Sequence, residues 1–505
     1  MTDALLEQLK NNIAQRLDFA ENIAVSTHSN RLNNEEFVRH VISVANFLST
    51  EGNEKTTVVV RGSKPNVANL VACYAALLSG KTFCCLSDIN YQRLLEGKLD
   101  NFPSYIDFSV INYLEINSST SFKNIHSLAT RSVDNPAYIV FTSGSTGRPK
   151  GIVINRKSFL IYLYYINNLI GTRKKKYFID IFSSPLYFDN AIFNIAIMCG
   201  STCHTHTVDA SEFSFNWKSD PIISRCCKFY LVYGAPSIIK LFARKGIFEN
   251  LFAHSLGTIG FGGEGYSWEE IIDDLSMLNK EVEIINFYGP SECTCMCSHF
   301  KFKPDTIEEL FKQYKHLSPY PPLGTIFPYF KWALEKKSTD NNPAIKNKSI
   351  DNNTGELNLF GEALMDNYLI NNGDKPINEY KTGDIVSIDN NLIFFKGRID
   401  NQYKINGIRI ELEEIDAVLN GISYIKNSAV IAVEDRFKYL VAFISIRNKT
   451  YISDSELRKI IKQRLGSKKC PAVFVRVEQI PLNLNGKVDR KLLESNYNLK
   501  LAKII

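Results

Sequence analysis

Residues 138–151 read YIVFTSGSTGRPKG. The run Tyr138 to Phe141 is aromatic and β-branched, the composition of a strand. It enters a loop of small hydroxyl residues and glycines that closes on Lys150. Glycines let backbone N–H groups turn toward an anion, hydroxyls add donors, and a lysine supplies positive charge, so the stretch reads as a phosphate cradle. It is not a Walker A loop, because the Gly144-to-Lys150 spacing and the Arg148-Pro149 pair break that pattern. A Gly/Ser loop alone is usually just flexible; the strand before it and Lys150 set this one apart.

Working outward, short β-rich runs (TTVVV, KTFCCL, YIVFT, FIDIF) alternate with longer helical stretches from about residue 55. That rhythm predicts an α/β architecture of layered sheets and helices with largely parallel strands. The polar stretch 335–354 reads as a hairpin insertion. NLIFFKG (391–397) forms one more strand before the polar segment GRIDNQYKING. After it a helix (IELEEIDAVLN), strands (SAVIAV, YLVAFISI), a helix (DSELRKIIKQRL) and a final loop predict a small α+β unit. The boundary falls at Asp400, giving a large domain, 1–399, and a small mobile C-terminal domain, 400–505, roughly a hundred residues long.

At 505 residues the chain exceeds one ordinary core. Its 59 basic and 53 acidic residues leave a net charge of +6, which argues against nucleic acid as a partner. The N-terminus has Leu5, Leu6, Leu9, Ile13 and Leu17 at helical spacing interrupted by charge, an amphipathic surface helix and not a signal peptide. Phe159 to Ile170 is too short to span a bilayer. No membrane association and a cytoplasmic location are expected. The basic run Arg173 to Lys176 reads as a solvated loop.

Eleven cysteines without a framework suit free thiols. Cys199, Cys203, His204 and His206 have the elements of a metal site. However, Gly200 ends a helix and TCHTHTV alternates like a strand, so its side chains point to opposite faces. Cys293, Cys295 and Cys297 also alternate as one strand. Neither cluster is expected to bind metal.

Further motifs follow the phosphate loop: FDN at 188–190, NFYGPSECT at 286–294, GELNLFGEAL at 355–364, YKTGDIV at 380–386, GRIDNQYKINGIRIELEEID at 397–416 and NLNGKVDRKLL at 483–493. In these and in their order the chain resembles the adenylate-forming superfamily, which includes the amino-acid adenylation domains of nonribosomal peptide synthetases, acyl- and aryl-CoA ligases and luciferases. The resemblance covers nearly the whole chain. It implies ATP and Mg²⁺ as cofactors, and a pyrophosphate-holding loop of Thr142, Ser143, Gly144, Ser145, Thr146, Gly147 and Lys150. It further implies that Tyr288, followed by Gly289, stacks on adenine, that Asn286 contacts its edge, and that Asp384 and Arg398 reach the ribose end. Ser291 would face the α-phosphate, Glu292 would help hold the metal, and Lys487 would be the catalytic lysine. Asp400 would be the hinge.

Gln402 and the RIELEEID run resemble the peptide-synthetase version, whereas CoA ligases usually diverge there. Asp189 matches the aspartate that pairs with a substrate α-amino group; its alternative is a helix N-cap. By the same resemblance Asn190, Phe193, Tyr233, Gly260, Gly262, Phe287, Cys295 and Met296 line the pocket. Phe287 and Tyr233 take up space and the two glycines release it, implying a small to medium uncharged side chain. The expected activity is formation of an aminoacyl-AMP, followed by transfer to the phosphopantetheine thiol of a carrier protein. The alternative is an aryl- or acyl-CoA ligase.

Nothing after Leu493 resembles a carrier domain, so a free-standing enzyme serving a separate holo carrier protein is expected. There are departures from the family pattern. Ile89-Asn90-Tyr91 stands where prolines are usual, Ser291 replaces the commoner threonine, and Arg156 stands where a histidine often follows the loop, which would alter the path around the substrate.

Overall fold

A computed structural model describes the chain apart from residues 1, 28–29, 51–55, 63–65, 100, 109–134, 143–148, 173–178, 183, 208–228, 253–254, 337–352, 370–376, 400–401, 406–407, 435–437, 448–451, 483–487 and 502–505. The chain forms two compact units. One holds Met1–Phe141 and Gly151–Ile399, the other Thr142–Lys150 and Asp400–Ile505. The architecture is mixed α/β.

Three sheets build the larger unit. The widest has nine strands, in the spatial order Thr325–Ile326, Ser298–Phe302, Glu283–Tyr288, Leu256–Gly262, Phe229–Gly234, Ile179–Phe182, His204–Thr207, Ile23–Ser26 and Arg31–Asn33. Its interior pairs are parallel, and antiparallel pairs lie at the two edges. The reason is visible in the sequence. Runs such as EIINFY are apolar on both faces, as a parallel strand covered by helices requires.

The second sheet has six strands, with Pro136–Thr142, Thr82–Leu86, Thr57–Arg61 and Tyr105–Asp107 as its parallel part. Lys150–Asn155 and Asn367–Tyr368 extend it at one edge. The third is antiparallel: Phe330–Glu335, Thr354–Gly361, Glu379–Asp389 and Leu392–Arg398. Glu335 pairs with Glu356, so two neighbouring strands flank the expected insertion, whose residues 337–352 lie outside the described ones.

Helices fill the layers between sheets. Val67–Leu78 is capped by Asn66, whose side chain accepts the Asn69 N–H at 2.8 Å. A cap of this kind is worth about 1 kcal/mol. Where prolines were expected, Ser87 caps the helix Asp88–Leu95, and Tyr91 donates to Asp107 at 2.5 Å. The N-terminal helix Thr2–Gln15 buries Leu9 and Ile13 in the main core. The apolar stretch at 159–170 lies in the helix Arg156–Ile170. No helix among the described residues is long and apolar enough to cross a membrane.

The Cys/His segment takes its expected form. The helix Asn190–Gly200 ends at Gly200 and His204–Thr207 is a strand, which puts His204 and His206 on one face. Their rings meet the Ser26 hydroxyl at 2.6 and 2.9 Å. One hydroxyl carries one proton, so at least one imidazole donates to it.

The smaller unit packs a three-stranded sheet, Ile425–Glu434, Lys438–Ile446 and Val473–Arg476, with the helices Leu412–Asn420, Asp454–Leu465 and Arg490–Leu501. A strand hairpin, Gln402–Ile405 with Ile408–Glu411, precedes them. The expected final loop contains a strand and this last helix instead. Leu493 and Tyr497, one turn apart, bury themselves against Ala429, Ile431 and Phe443. The basic run 173–176 and the residue Asp400 lie outside the described ones.

Candidate active site

Glu283–Tyr288 ends in Gly289, and the chain doubles back. A Cβ on Gly289 would sit 2.4 Å from Met296 Cα and 2.8 Å from the Cys297 nitrogen, so only glycine fits. The Cys297 N–H donates to the Tyr288 carbonyl at 2.8 Å and closes the loop. Closing it places Thr294 (φ 51°) and Cys295 (φ 77°) in the left-handed region. That conformation costs roughly 1–2 kcal/mol per residue outside glycine. Thr294 Oγ1 to the Ala363 carbonyl, and the Met365 N–H to the Glu292 carbonyl, both at 2.8 Å, hold it. Cys293, Cys295 and Cys297 therefore do not form the expected strand; Ser291–Cys293 is a 3₁₀ turn.

This loop carries Ser291 to Asp189. Asp189 occupies the N-cap position of the helix Asn190–Gly200, but its backbone is helical and its side chain caps nothing. Its Oδ2 accepts the Ser291 hydroxyl, and its carbonyl accepts the Cys295 thiol at 3.2 Å. Next to it, Tyr233 donates to Asn190 Oδ1 at 3.0 Å.

Phe193, Tyr233 and Phe287 form one buried aromatic cluster. Their centroids lie 4.2 Å (193–233), 5.6 Å (193–287) and 5.9 Å (233–287) apart. Gly260 and Gly262 lie against this cluster. A Cβ on Gly260 would already lie 3.0 Å from both Phe287 and Tyr233, and one on Gly262 would lie 2.7 Å from the Phe287 carbonyl oxygen. Met296 is buried nearby in the loop.

A second group gathers on the antiparallel sheet. Asp384 pairs in register with Arg398 across neighbouring strands. Its Oδ1 accepts from the Arg398 guanidinium, and its Oδ2 accepts the Tyr288 hydroxyl at 2.5 Å. Arg398 also donates to the Thr382 carbonyl at 3.2 Å. Burial first, then the Asp384 charge, holds the Tyr288 phenol well above its ordinary range, so it stays a donor. Asn286 turns elsewhere, giving its amide to the Pro322 carbonyl at 2.9 Å.

Glu292 is buried, and one of its carboxylate oxygens accepts the Tyr368 hydroxyl at 3.0 Å. Tyr368 pairs with Ile152, two residues after Lys150, so Glu292 is tied to the strand that leaves the glycine-rich loop. Thr142 and Lys150 stand at the two ends of that loop, in the strands Pro136–Thr142 and Lys150–Asn155. Ser143, Gly144, Ser145, Thr146, Gly147 and Lys487 lie outside the described residues. No group of three or more His, Cys, Asp or Glu among the described residues is arranged to hold a metal ion. Glu292 fits a hard divalent ion whose other ligands are phosphate oxygens and water.

Two residues were not anticipated. Tyr368 carries no motif signal, since its contact with Glu292 spans 76 residues of chain. Tyr138, inside the opening motif, is buried with a hydroxyl that has no partner among the described residues. Burial, then Cys295 and Asp189, push its phenol upward. Arg156 departs from its expected role. It is buried and donates to the Leu77 and Lys81 carbonyls at 2.7 and 2.5 Å, closing the end of the helix Val67–Leu78.

The model of the AMP-binding enzyme family matches residues 103–369. The chain belongs to the AMP-binding enzyme family. The model of the AMP-binding enzyme C-terminal domain matches residues 414–487. Delta-poly-L-ornithine synthetase of Acinetobacter baumannii is 30% identical over 394 residues, which is 73% of this chain and 27% of that protein. The chain thus spans little more than a quarter of that relative's length. D-alanine--D-alanyl carrier protein ligase of Bacillus licheniformis is 27% identical over 388 residues, 71% of this chain and 70% of that protein. Among solved structures, the Vibrio cholerae adenylation domain AlmE in complex with glycyl-adenosine-5'-phosphate superposes with a TM-score of 0.75. It has 20% identity and covers 98% of this chain and 97% of that one. The AMP-binding fold accordingly extends over both units of the chain.

Proposed function

We propose that this AMP-binding enzyme activates the carboxylate of an amino acid with ATP and delivers the aminoacyl group to the phosphopantetheine thiol of a separate carrier protein. The observation that carries this reading is Asp189. Its carboxylate caps nothing on the helix it begins and accepts the Ser291 hydroxyl. The other residues assigned to the pocket carry no charge, so a substrate ammonium is its natural counter-ion. The names of the two curated relatives, an ornithine polymer synthetase and a D-alanine carrier ligase, support an amino-acid substrate.

In this reading a substrate carboxylate oxygen attacks the α-phosphorus, the bond to the bridging oxygen breaks, and pyrophosphate leaves. The carrier thiol then attacks the acyl carbon, gives up its proton and displaces AMP. Tyr288 holds the adenine, while Asp384 and Arg398 hold the ribose. The loop from Thr142 to Lys150 holds the leaving pyrophosphate, and Lys487 neutralises the charge that two reacting anions share. Glu292 would hold Mg²⁺, which supplies charge neutralisation at the phosphates. Asp400 is the hinge between the two steps. Catalysis is positioning and electrostatics, with no side-chain nucleophile.

ATP–pyrophosphate exchange over amino acids and their des-amino analogues tests the reading, followed by free CoA against a holo carrier protein as acceptor. Exchange with amino acids only, and loading of the carrier only, is expected. Lys487→Ala should lower exchange by roughly 10²–10³. Equal use of des-amino acids, or efficient transfer to CoA, would replace this reading with an acyl-CoA ligase.

A further inference from the structure

Resting on Asp189 as the ammonium partner, we propose that Arg16 is a positioning residue for the amino acid: it clamps the rear of the helix Asn190–Gly200 and so fixes where Asp189 stands at its front.

An α-helix leaves its last four carbonyls without partners inside the helix. In Asn190–Gly200 this end is buried, and Ser201, which follows it, is extended, with φ −147° and ψ 173°. Side chains meet the carbonyls instead. Ser201 donates to Ile197 at 2.7 Å and Arg16 to Met198 at 2.9 Å, while Cys199 accepts from Asn12 at 3.1 Å and from Tyr74 at 3.2 Å. One place earlier, Ala196 accepts the Asn167 amide at 2.9 Å. Arg16 also reaches the Cys203 carbonyl at 3.1 Å and Asn34 Oδ1 at 3.0 Å. A Cβ on Gly200 would lie 2.0 Å from Asn167 Nδ2, so this end and its partners are closely fitted.

Arg16 is the charged member of this set. It is fully buried and its acceptors are neutral oxygens, so the negative end of the helix dipole offsets its charge. A buried cation is a costly way to satisfy a carbonyl that an amide could reach. What the guanidinium adds is a grip on two points, Met198 on the helix and Cys203 beyond it, which fixes both the advance of the helix along its axis and its turn about it. At the front the Asp189 side chain caps nothing, so its place depends on this rear anchor together with its contacts to Ser291 and Cys295. At 1.5 Å per residue the two ends are roughly 15 Å apart, and the rigid helix carries the placement across. Tyr288, Asp384 and Arg398 stand on other strands, so the effect should fall on the amino acid and spare ATP.

A double-mutant cycle on the full chain tests this, read by pyrophosphate exchange with separate KM values for amino acid and ATP. Arg16→Ala should lower kcat/KM for the amino acid about 10²-fold, the loss that a misplacement of roughly 1 Å can cause, with KM for ATP unchanged. In an Asp189→Ala background Arg16→Ala should cost little more, because it acts through the residue already removed. A lower melting temperature with normal KM for the amino acid, or losses that simply add in the two backgrounds, overturns the role of Arg16 and leaves the ammonium reading standing. If Arg16→Ala does not fold, Arg16→Lys enters the same cycle, since it keeps the charge but lacks the fork that spans two carbonyls. Equal use of des-amino acids by the wild type, or no amino-acid exchange at all, overturns the ammonium reading and this proposal with it.

Discussion

Asp180 and Asn194 meet in the buried layer between the widest sheet and the helix that carries the pocket residues. The Asn194 amide donates to Asp180 Oδ1 at 2.9 Å, while Asp180 Oδ2 and Asn194 Oδ1 have no partner among the described residues. A proton on Asp180 would supply a donor where these two oxygens otherwise present only acceptors.

That relationship makes stability depend on pH. Burial, opposed by the Asn194 hydrogen bond, pushes the Asp180 carboxyl up from 3.8 to about 8. Between those values the folded chain holds a proton that the unfolded chain has lost. The contribution is fully present below about 3.8 and is lost as pH rises through about 8, at up to about 1.4 kcal/mol per pH unit. Asp180→Asn should flatten the dependence and be more stable than wild type at the alkaline end. Urea melts across the range check both the slope and the crossing.

Arg156→Ala should be a stability variant and not an activity variant. Removing the guanidinium leaves the Leu77 and Lys81 carbonyls without these donors. Hydrogen bonds to a charged group are worth about 1.5–3 kcal/mol each, so a loss of about 3–6 kcal/mol is expected with kcat/KM unchanged. A shift in substrate preference at unchanged stability would restore the sequence-based expectation for this residue.

The Asp384 carboxylate is held from two sides, and its partners should be separable. Arg398→Ala strands a buried carboxylate. Since the arginine is partly exposed, the expected cost is about 2–3 kcal/mol, below the 3–5 typical of fully buried pairs. Tyr288→Phe removes one neutral donor and should cost about 1 kcal/mol. Both should raise KM for ATP more than KM for the amino acid. An effect on the amino acid alone would contradict the nucleotide role.

Asp189→Ala should leave ATP binding intact and raise KM for the amino acid. Losing a charge-assisted bond and leaving an ammonium unpaired costs about 2–5 kcal/mol. Because Asp189 caps nothing, thermal stability should be nearly unchanged. A large fall in melting temperature with normal KM would assign the residue to the fold.

The parallel strands were legible because strands buried on both faces are apolar runs, as in TTVVV and KTFCCL. The meeting of Ser291 with Asp189, and of Arg398 with Asp384, was not legible as contact, only as motif order. The cysteine segment misled because its residues alternate; the close approach at Gly289, invisible in composition, overrides that period with two left-handed residues. The final helix was missed because, among its described residues, Leu493 and Tyr497 alone join the core of that unit in an otherwise polar sequence.

Arg16, fully buried over the Phe37 ring, donates to the carbonyls of Met198 and Cys203, on and just beyond the helix that carries Asn190 and Phe193. These bonds join residues 182 and 187 positions apart. During translation the first helix emerges early but cannot find its partners until some two hundred residues have left the ribosome. A guanidinium without its carbonyls, and an amphipathic helix without its core, must wait in the meantime. The packing around Asn190 and Phe193 is thus a late product of synthesis, and a nascent chain halted before residue 203 should remain a ward of chaperones.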